Sequence, residues 1–329
     1  MRFLKSEAGA IILWLVASLF AAALLTPHLY DWGKAFAASA ELNDYPSALE
    51  SVASSAGRAK LDRFFSRALL ISALALLPAL IRRVKRLPRK EDAGRHALRK
   101  LTWPQRLTHL ACGLITGALA LGALGVILDL AGVAVPRETS VSAGKLFSKA
   151  FIPALGAGVI EELIFRGLIL GLWLRACSVR IALVGSAVMF SFVHFLSPPI
   201  GMQIADPRSW HAGFEILGAT LGHFSNPLFF LTNFVTLALL GLLLGWCRLR
   251  TFSLWLPIGL HAGLVFALKA FSMSRSLDLG SPLYPWLIGN DLKSGILPLI
   301  FLGICFGICA GIVRKLPIGR LETNPDPTE

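Results

Sequence analysis

Long apolar runs recur along this 329-residue chain and constrain its fold more than any other feature. A helix that crosses the hydrocarbon core of a bilayer needs about 20 such residues at about 1.5 Å per residue. The chain is 55% hydrophobic, above the roughly 45–50% that is usual for soluble domains. These properties predict an all-α polytopic membrane protein with about eight transmembrane helices. The predicted spans are residues 9–26, 66–81, 107–131, 148–174, 181–197, 226–246, 252–272 and 294–313.

The Lys and Arg residues between the spans predict the orientation, because cytoplasmic loops of membrane proteins are enriched in them. With the N-terminus inside, the inside segments hold 19 Lys and Arg, and the longer outside segments hold 9. The prediction is therefore N-in and C-in. The net charge of +13 follows this pattern. It indicates contact with anionic membrane lipids, above all through the basic arm 82–106, and no nucleic acid partner.

The runs also predict the organisation of the chain. Residues 1–106 form an N-terminal membrane hairpin with a basic cytoplasmic arm, and residues 107–315 form the membrane core. Residues 316–329 form a disordered tail. The outside segment 197–225 is punctuated by Gly and Pro, and we expect it to contain an interfacial helix.

A charged cluster interrupts the fourth span, where Glu161 and Glu162 are followed by Arg166. Each charge costs about 2.5–3.5 kcal/mol at the centre of a membrane helix, so the groups must pair, face a cavity or do chemistry. Glu162 and Arg166 are four residues apart on one helix face, which predicts an ion pair. Glu161 is rotated by about 100° from this pair and must face another partner. This makes Glu161 a candidate general base.

Three other polar residues lie at a similar depth on neighbouring spans. Counted from the inner ends of the spans, Glu161, His194 and Asn233 lie roughly 21–22 Å deep, and His261 roughly 16 Å deep. This shared depth predicts one site built from four helices. Phe190 is one turn before His194 and is expected to form a wall of the site. Asn233 has a second interpretation, as an interhelical hydrogen-bonding residue.

Pro257 lies one turn before His261 and is expected to bend the helix of the seventh span. A proline has no backbone N–H, so the carbonyl of Ser253 loses its helical donor. The sequence therefore predicts a kink in this span.

The sequence lacks the motifs of several other intramembrane enzymes. It has no HExxH zinc motif, no GxSG nucleophile turn, no GxGD aspartate and no Gly-rich phosphate loop. A carboxylate with imidazoles remains, and this combination can activate a water molecule and stabilise an oxyanion. A proton-coupled transporter is the alternative, because transporters also carry Glu, Arg and His within the membrane.

Two motifs resemble the CPBP family (CAAX protease and bacteriocin-processing, or Abi) of intramembrane proteases, which includes the type II CAAX prenyl endopeptidases. Residues Glu161–Arg166 resemble its EExxxR motif, and Phe190–His194 resemble its FxxxH motif. Residues 226–244 stand where the third motif falls, and His261 begins the fourth. The resemblance covers about residues 147–270.

The resemblance implies a role for each residue. Glu161 would activate the hydrolytic water together with His194, Glu162 and Arg166 would order the site, and His261 would help to bind the tetrahedral oxyanion. It leaves open a divalent metal such as zinc, with Glu161, His194 and His261 as candidate ligands. It further implies a multi-pass protein of a bacterial cytoplasmic membrane that cleaves a peptide or membrane-protein substrate.

One position departs from the family pattern. The fourth motif usually reads HxxxN or HxxxD, whereas the residue four after His261 is Val265. Asn233 is expected to supply the missing oxyanion donor. A pseudoprotease that acts as a scaffold and binds the transmembrane segment of a partner is the alternative. Bacteria without protein prenylation also carry this family, so the resemblance does not identify the substrate.

Overall fold

The computed structural model describes residues 6–86, 96–137, 142–199, 202–225, 227–284, 286–289 and 292–319. Within the basic arm, residues 87–95 lie outside this part of the chain, as does the predicted tail beyond Gly319. In chain order the helices and strands are α1 (Glu7–Leu42), α2 (Ser47–Arg58), α3 (Leu61–Lys85), α4 (Trp103–Leu130), β1 (Ala134–Pro136), α5 (Ala143–Glu162), a π-helical segment (Leu163–Ile169), α6 (Leu170–Ala176), α7 (Val179–His194), α8 (Ala212–Gly222), α9 (Pro227–Thr251), α10 (Trp255–Ser274), β2 (Arg275–Leu277) and α11 (Ile296–Val313).

Every predicted span coincides with helical structure, which confirms the all-α polytopic membrane fold. Among the described residues, six helices are long and apolar enough to cross a membrane. They are Ala8–Leu42, Leu61–Lys85, Trp103–Leu130, Asn233–Thr251, Trp255–Ser274 and Ile296–Val313. The predicted span 148–174 corresponds to α5, the π-helical segment and α6 in succession, and α7 is a shorter apolar helix.

The chain divides into two compact units. The first consists of Met1–Pro88 and Val193–Pro227, and the second of Arg89–Phe192 and Leu228–Glu329. The second unit contains most of the basic loop residues and most of the predicted site residues.

In the first unit, α1 packs against α2, α3 and α8. This helix continues through Pro27 to Leu42, well beyond the predicted span. Pro27 cannot donate to the carbonyl of Ala23, and Gly213 of α8 packs directly against that carbonyl, where a Cβ atom would clash. The close approach of α8 thus covers the Ala23 carbonyl, which has no helical donor because of Pro27.

The helix expected within 197–225 is α8 itself.

In the second unit, α10 is the central helix and packs against α4 and α5. Its contact with α4 joins two GxxxG patterns, Gly113 and Gly117 on α4 with Gly259 and Gly263 on α10. A Cβ atom on Gly113 would lie 2.6 Å from the backbone nitrogen of Leu260. The two helix backbones are therefore in direct contact, as is common where small residues line a membrane helix pair.

A short antiparallel strand pair, β1 with β2, joins the ends of α4 and α10. Arg275 donates two hydrogen bonds to Asp129 beside it, with nitrogen–oxygen distances of 2.7 and 3.1 Å. These hydrogen bonds to the carboxylate raise the pKa of Arg275. These strands were not predicted from the sequence, because three residues per strand are too few to show an alternating pattern.

The predicted kink at Pro257 is wrong. Helix α10 begins at Trp255, so Pro257 lies in its first turn, where a backbone N–H would have no helical acceptor. The carbonyl of Ser253 accepts a hydrogen bond from the hydroxyl of Thr251 at 3.3 Å.

The turn between α9 and α10 holds Phe252 at a positive φ of 53°. The backbone amide of Arg99 donates to the Phe252 carbonyl at 2.9 Å, and this hydrogen bond fixes the turn.

The α4–α10 contact can be tested by replacing Gly117 with Ala. A Cβ atom there would lie 2.9 Å from the backbone nitrogen of Leu264, so the two helices would have to separate. We expect a loss of about 1–3 kcal/mol in unfolding free energy, measured by SDS titration in mixed micelles. The control is Gly122→Ala on the same helix, where the added atom meets nothing within 4 Å. Equal stability of the two variants would contradict the direct backbone contact.

Candidate active site

The charged cluster lies where α5 passes into the π-helical segment. Glu162 is fully buried, and Arg166 is only 2% exposed. The Nη1 atom of Arg166 donates to Oε1 of Glu162 at 2.7 Å, so the ion pair predicted from the four-residue spacing is present. Helix interruptions of the π type are rare and are found frequently at functional sites.

A backbone carbonyl of α9 holds the other end of the Arg166 guanidinium. Nη2 of Arg166 donates to the Gly241 carbonyl at 3.3 Å. Gly241 lies against α7, and a Cβ atom on it would approach the Cα atom of Ala187 to 2.9 Å. Because Gly241 has no side chain, α9 packs closely against α7, and the Gly241 carbonyl lies within hydrogen-bonding distance of Arg166. Nothing in the sequence pattern singled out Gly241.

Phe190 of α7 forms an aromatic wall beside these charges. Its ring is fully buried, and the guanidinium carbon of Arg166 lies 4.2 Å from the ring centroid. This distance allows a cation–π interaction. The ring also packs edge-on against Phe165 at 5.1 Å and against His261 at 5.9 Å between centroids. Phe190 thus contacts Arg166 and His261 directly.

His261 of α10 completes the cluster and is 3% exposed. Its Nδ1 atom lies 2.9 Å from Oε1 of Glu162, the same oxygen that accepts from Arg166. An ionised carboxylate only accepts hydrogen bonds, so the proton of this contact is on Nδ1. The Nε2 atom on the other side of the ring lies 3.9 Å from Oε2 of Glu161. Glu162 therefore orients the imidazole ring so that its second nitrogen faces Glu161.

A close approach of α5 to α10 brings these residues within reach of each other. A Cβ atom on Gly158 would lie 3.1 Å from the backbone nitrogen of Ala262. Gly158 precedes Glu162 by one turn, and Ala262 follows His261 directly. The small residue thus permits the helix separation at which the side chains of Glu162 and His261 form a hydrogen bond.

The two glutamates differ in their access to solvent. The side chain of Glu161 is 29% exposed, whereas that of Glu162 is 0% exposed. Glu162 is occupied by Arg166 and His261. Glu161 is thus the more exposed carboxylate of this cluster, although its Oε2 atom, which faces His261, is itself buried.

Two further site residues were predicted, His194 and Asn233. His194 is the last residue of α7 and belongs to the first unit, so its part in the site stays a prediction. Asn233 lies on α9 in the second unit and is half-buried. Its role as an oxyanion donor also stays a prediction.

The described residues do not fit a metal site. They contain no group of three or more His, Cys, Asp or Glu that could hold a metal ion. In the cluster itself, Glu161 and His261 Nε2 are the two candidate ligands, whereas catalytic zinc sites use three protein ligands.

The fold and this cluster together define a multi-pass membrane protein with a buried carboxylate–imidazole–guanidinium site. Residues 143–267 match the sequence model of the family described as Type II CAAX prenyl endopeptidase Rce1-like. The resemblance to CAAX-protease-like membrane enzymes is thereby confirmed over this segment, and the segment is similar to an endopeptidase family. The chain matches no curated protein and no solved structure.

The different positions of the two glutamates predict different effects on stability. Glu162→Ala leaves Arg166 buried without its counter-charge, and we expect a loss of about 3–5 kcal/mol in unfolding free energy. Glu161→Ala is the matched control, because this side chain is partly exposed, and we expect a loss of about 1 kcal/mol or less. SDS titration of both purified variants measures the difference. An equal loss in both variants would contradict the separate tasks assigned to the two carboxylates.

Proposed function

We propose that the protein is an intramembrane endopeptidase that hydrolyses a peptide bond with a water molecule activated by Glu161. One observation carries the proposal. In a buried cluster of two carboxylates, Glu162 is bound by both Arg166 and His261, while Glu161 stays accessible and faces His261 Nε2. Pairs of carboxylates in different environments commonly divide the acid–base work in this way.

The charges of the cluster suit this chemistry. Two carboxylates and one guanidinium leave a single negative charge, which a protonated His261 cancels. Its Nδ1–H then binds Glu162, and its Nε2–H can donate to an oxyanion next to Glu161. His261 is thus proposed as the oxyanion donor, and Glu162 and Arg166 as positioning residues.

The proposed reaction proceeds in two steps. Glu161 takes a proton from the water molecule while the water oxygen attacks the carbon atom of the scissile carbonyl. The carbonyl oxygen becomes an oxyanion, which accepts a hydrogen bond from His261. Glu161 then gives the proton to the amide nitrogen as the carbon–nitrogen bond breaks. His194 is proposed to hold the water beside Glu161, on the basis of its place in the FxxxH motif. Asn233 is proposed as the second oxyanion donor in place of Val265.

The proposed setting is the cytoplasmic membrane of a bacterium, and the proposed substrate is a peptide or a membrane protein. The proposed peptidase chemistry is that of the family whose model matches residues 143–267. The prenylated substrate that the family description names is not proposed for this protein.

Glu161→Gln tests the proposed base directly. The amide cannot accept the proton of the water molecule, so we expect cleavage to fall by about 10²–10⁴-fold. The assay follows tagged transmembrane substrates that are co-expressed with the protein. Asp129→Asn is the control, because it removes a carboxylate of α4 that pairs with Arg275 outside the cluster. Full cleavage by the Glu161→Gln variant would refute this role.

His261→Gln tests the proposed oxyanion donor. Loss of one such donor costs about 10²–10³-fold in rate, and we expect a decrease of this size in the same assay. His109→Gln is the matched control, since His109 is also fully buried but contacts the Pro317 carbonyl instead. Equal rates for the two variants would rule out a special role for His261.

A non-catalytic scaffold is the second candidate, and Val265 is the observation that favours it. The scaffold would bind a transmembrane segment without cutting it. Binding of a co-expressed segment that persists without trimming, in the wild type and in Glu161→Gln alike, would support the scaffold. Trimming that depends on Glu161 would support the enzyme.

A further inference from the structure

One end of the second unit is strongly basic. Four described segments, 96–106, 175–180, 247–255 and 314–319, together contain nine Lys and Arg and no Asp or Glu. The Arg99 amide donates to the Phe252 carbonyl, and the ring of His109, in the second turn of α4, contacts the carbonyl of Pro317. These contacts join the ends of α4 and α9 and the segment 314–319. Within these four described segments the charge is therefore entirely positive.

Arg248, in the last turn of α9, is the unusual member of this group. It is only 3% exposed, and its Nε and Nη1 atoms have no hydrogen-bond partner among the described residues. Arg166 is buried to a similar degree but binds Glu162 and the Gly241 carbonyl. A buried guanidinium whose donors lack a partner among the described residues is strongly unfavourable, so the position of Arg248 points to a bound anion.

The neighbouring turns present further donors. Leu249, the next residue after Arg248, packs in one cluster with Leu174 and Trp173 of α6. The indole Nε1 of Trp173 and the Nε of Arg175 are also buried, and neither has a hydrogen-bond partner among the described residues. All of these atoms donate and none accepts. A ligand for them must supply several acceptor oxygens and negative charge, and a phosphate group supplies both.

We propose that the C-terminal ends of α6 and α9 form a pocket, centred on Arg248, for the phosphate group of an anionic membrane lipid. The pocket lies at the end of a predicted membrane span, on the side where the basic loops predict the cytoplasm. Basic pockets between membrane helices on that side are suited to lipid headgroups. The apolar neighbours Leu249 and Trp173 suit the part of the lipid next to the phosphate. Inorganic phosphate has the same chemistry and is the other source of the ligand.

The test uses the full-length protein in non-ionic detergent and measures its thermal unfolding as lipid is added. Phosphatidylglycerol is expected to stabilise the wild type, and phosphatidylcholine, which has no net charge, much less. Arg248→Gln is expected to weaken apparent phosphatidylglycerol binding by about tenfold or more. Arg250→Gln is the matched control, because Arg250 is exposed in the same helical turn and should bind phosphatidylglycerol as the wild type does.

A second measurement separates binding from folding. Without lipid, Arg248→Gln is expected to unfold at the same temperature as the wild type or higher, because the substitution removes a buried charge whose donors lack partners among the described residues. If this variant does not fold, Arg248→Lys replaces it. The Lys ammonium lacks the planar fork of Arg, so its phosphatidylglycerol affinity is expected to fall as well.

Two further outcomes would identify a soluble ligand or overturn the proposal. Stabilisation by inorganic phosphate that equals that by phosphatidylglycerol and depends on Arg248 would support the phosphate pocket and assign it a soluble ligand. Stabilisation by phosphatidylglycerol that is the same in the wild type and the Arg248 variants would overturn the proposal.

Discussion

The Oε1 atom of Glu162 is the point on which the candidate site depends. It accepts hydrogen bonds from Arg166 and from His261, and so it joins the π-helical segment to α10 in the interior of a membrane protein. A charge in this environment is tolerated only when its partners are held in good geometry. The same contact that makes the charges tolerable also fixes the direction of the imidazole ring. One set of hydrogen bonds to Glu162 therefore both stabilises the buried charges and orients the His261 ring.

Several parts of this arrangement follow from the sequence alone. The apolar runs predicted the helices, because lipid requires backbone hydrogen bonds to be satisfied within the segment. The four-residue spacing of Glu162 and Arg166 predicted their ion pair, since that spacing places both on one helix face. Depth along the spans predicted that His261 lies near the glutamates. These predictions rest on local geometry or on the thickness of the membrane.

Other parts depend on the rotation of each helix about its own axis, which a sequence pattern does not specify. Counting residues along the spans predicted the depth of His261 in the membrane but not which carboxylate it contacts. In the structure its ring lies 2.9 Å from Glu162 and 3.9 Å from Glu161. The Gly241 carbonyl was not identified because any residue supplies a carbonyl, and only the packing of α9 on α7 brings this one to Arg166. The π-helical segment has no sequence signature of its own.

The glycines of α10 show how that rotation is fixed. Gly259 and Gly263 lie against the backbone of α4, where no side chain fits between the helices. His261 lies midway between them in sequence, so it is turned by about 200° from Gly259 and directed away from α4. Ile258 and Ala262 meet Gly158 of α5 on that other side. The contact with α4 thus determines where the imidazole points. For this reason we expect a residue that enlarges the α4 face of α10 to change the distance between His261 and Glu161 without touching either side chain.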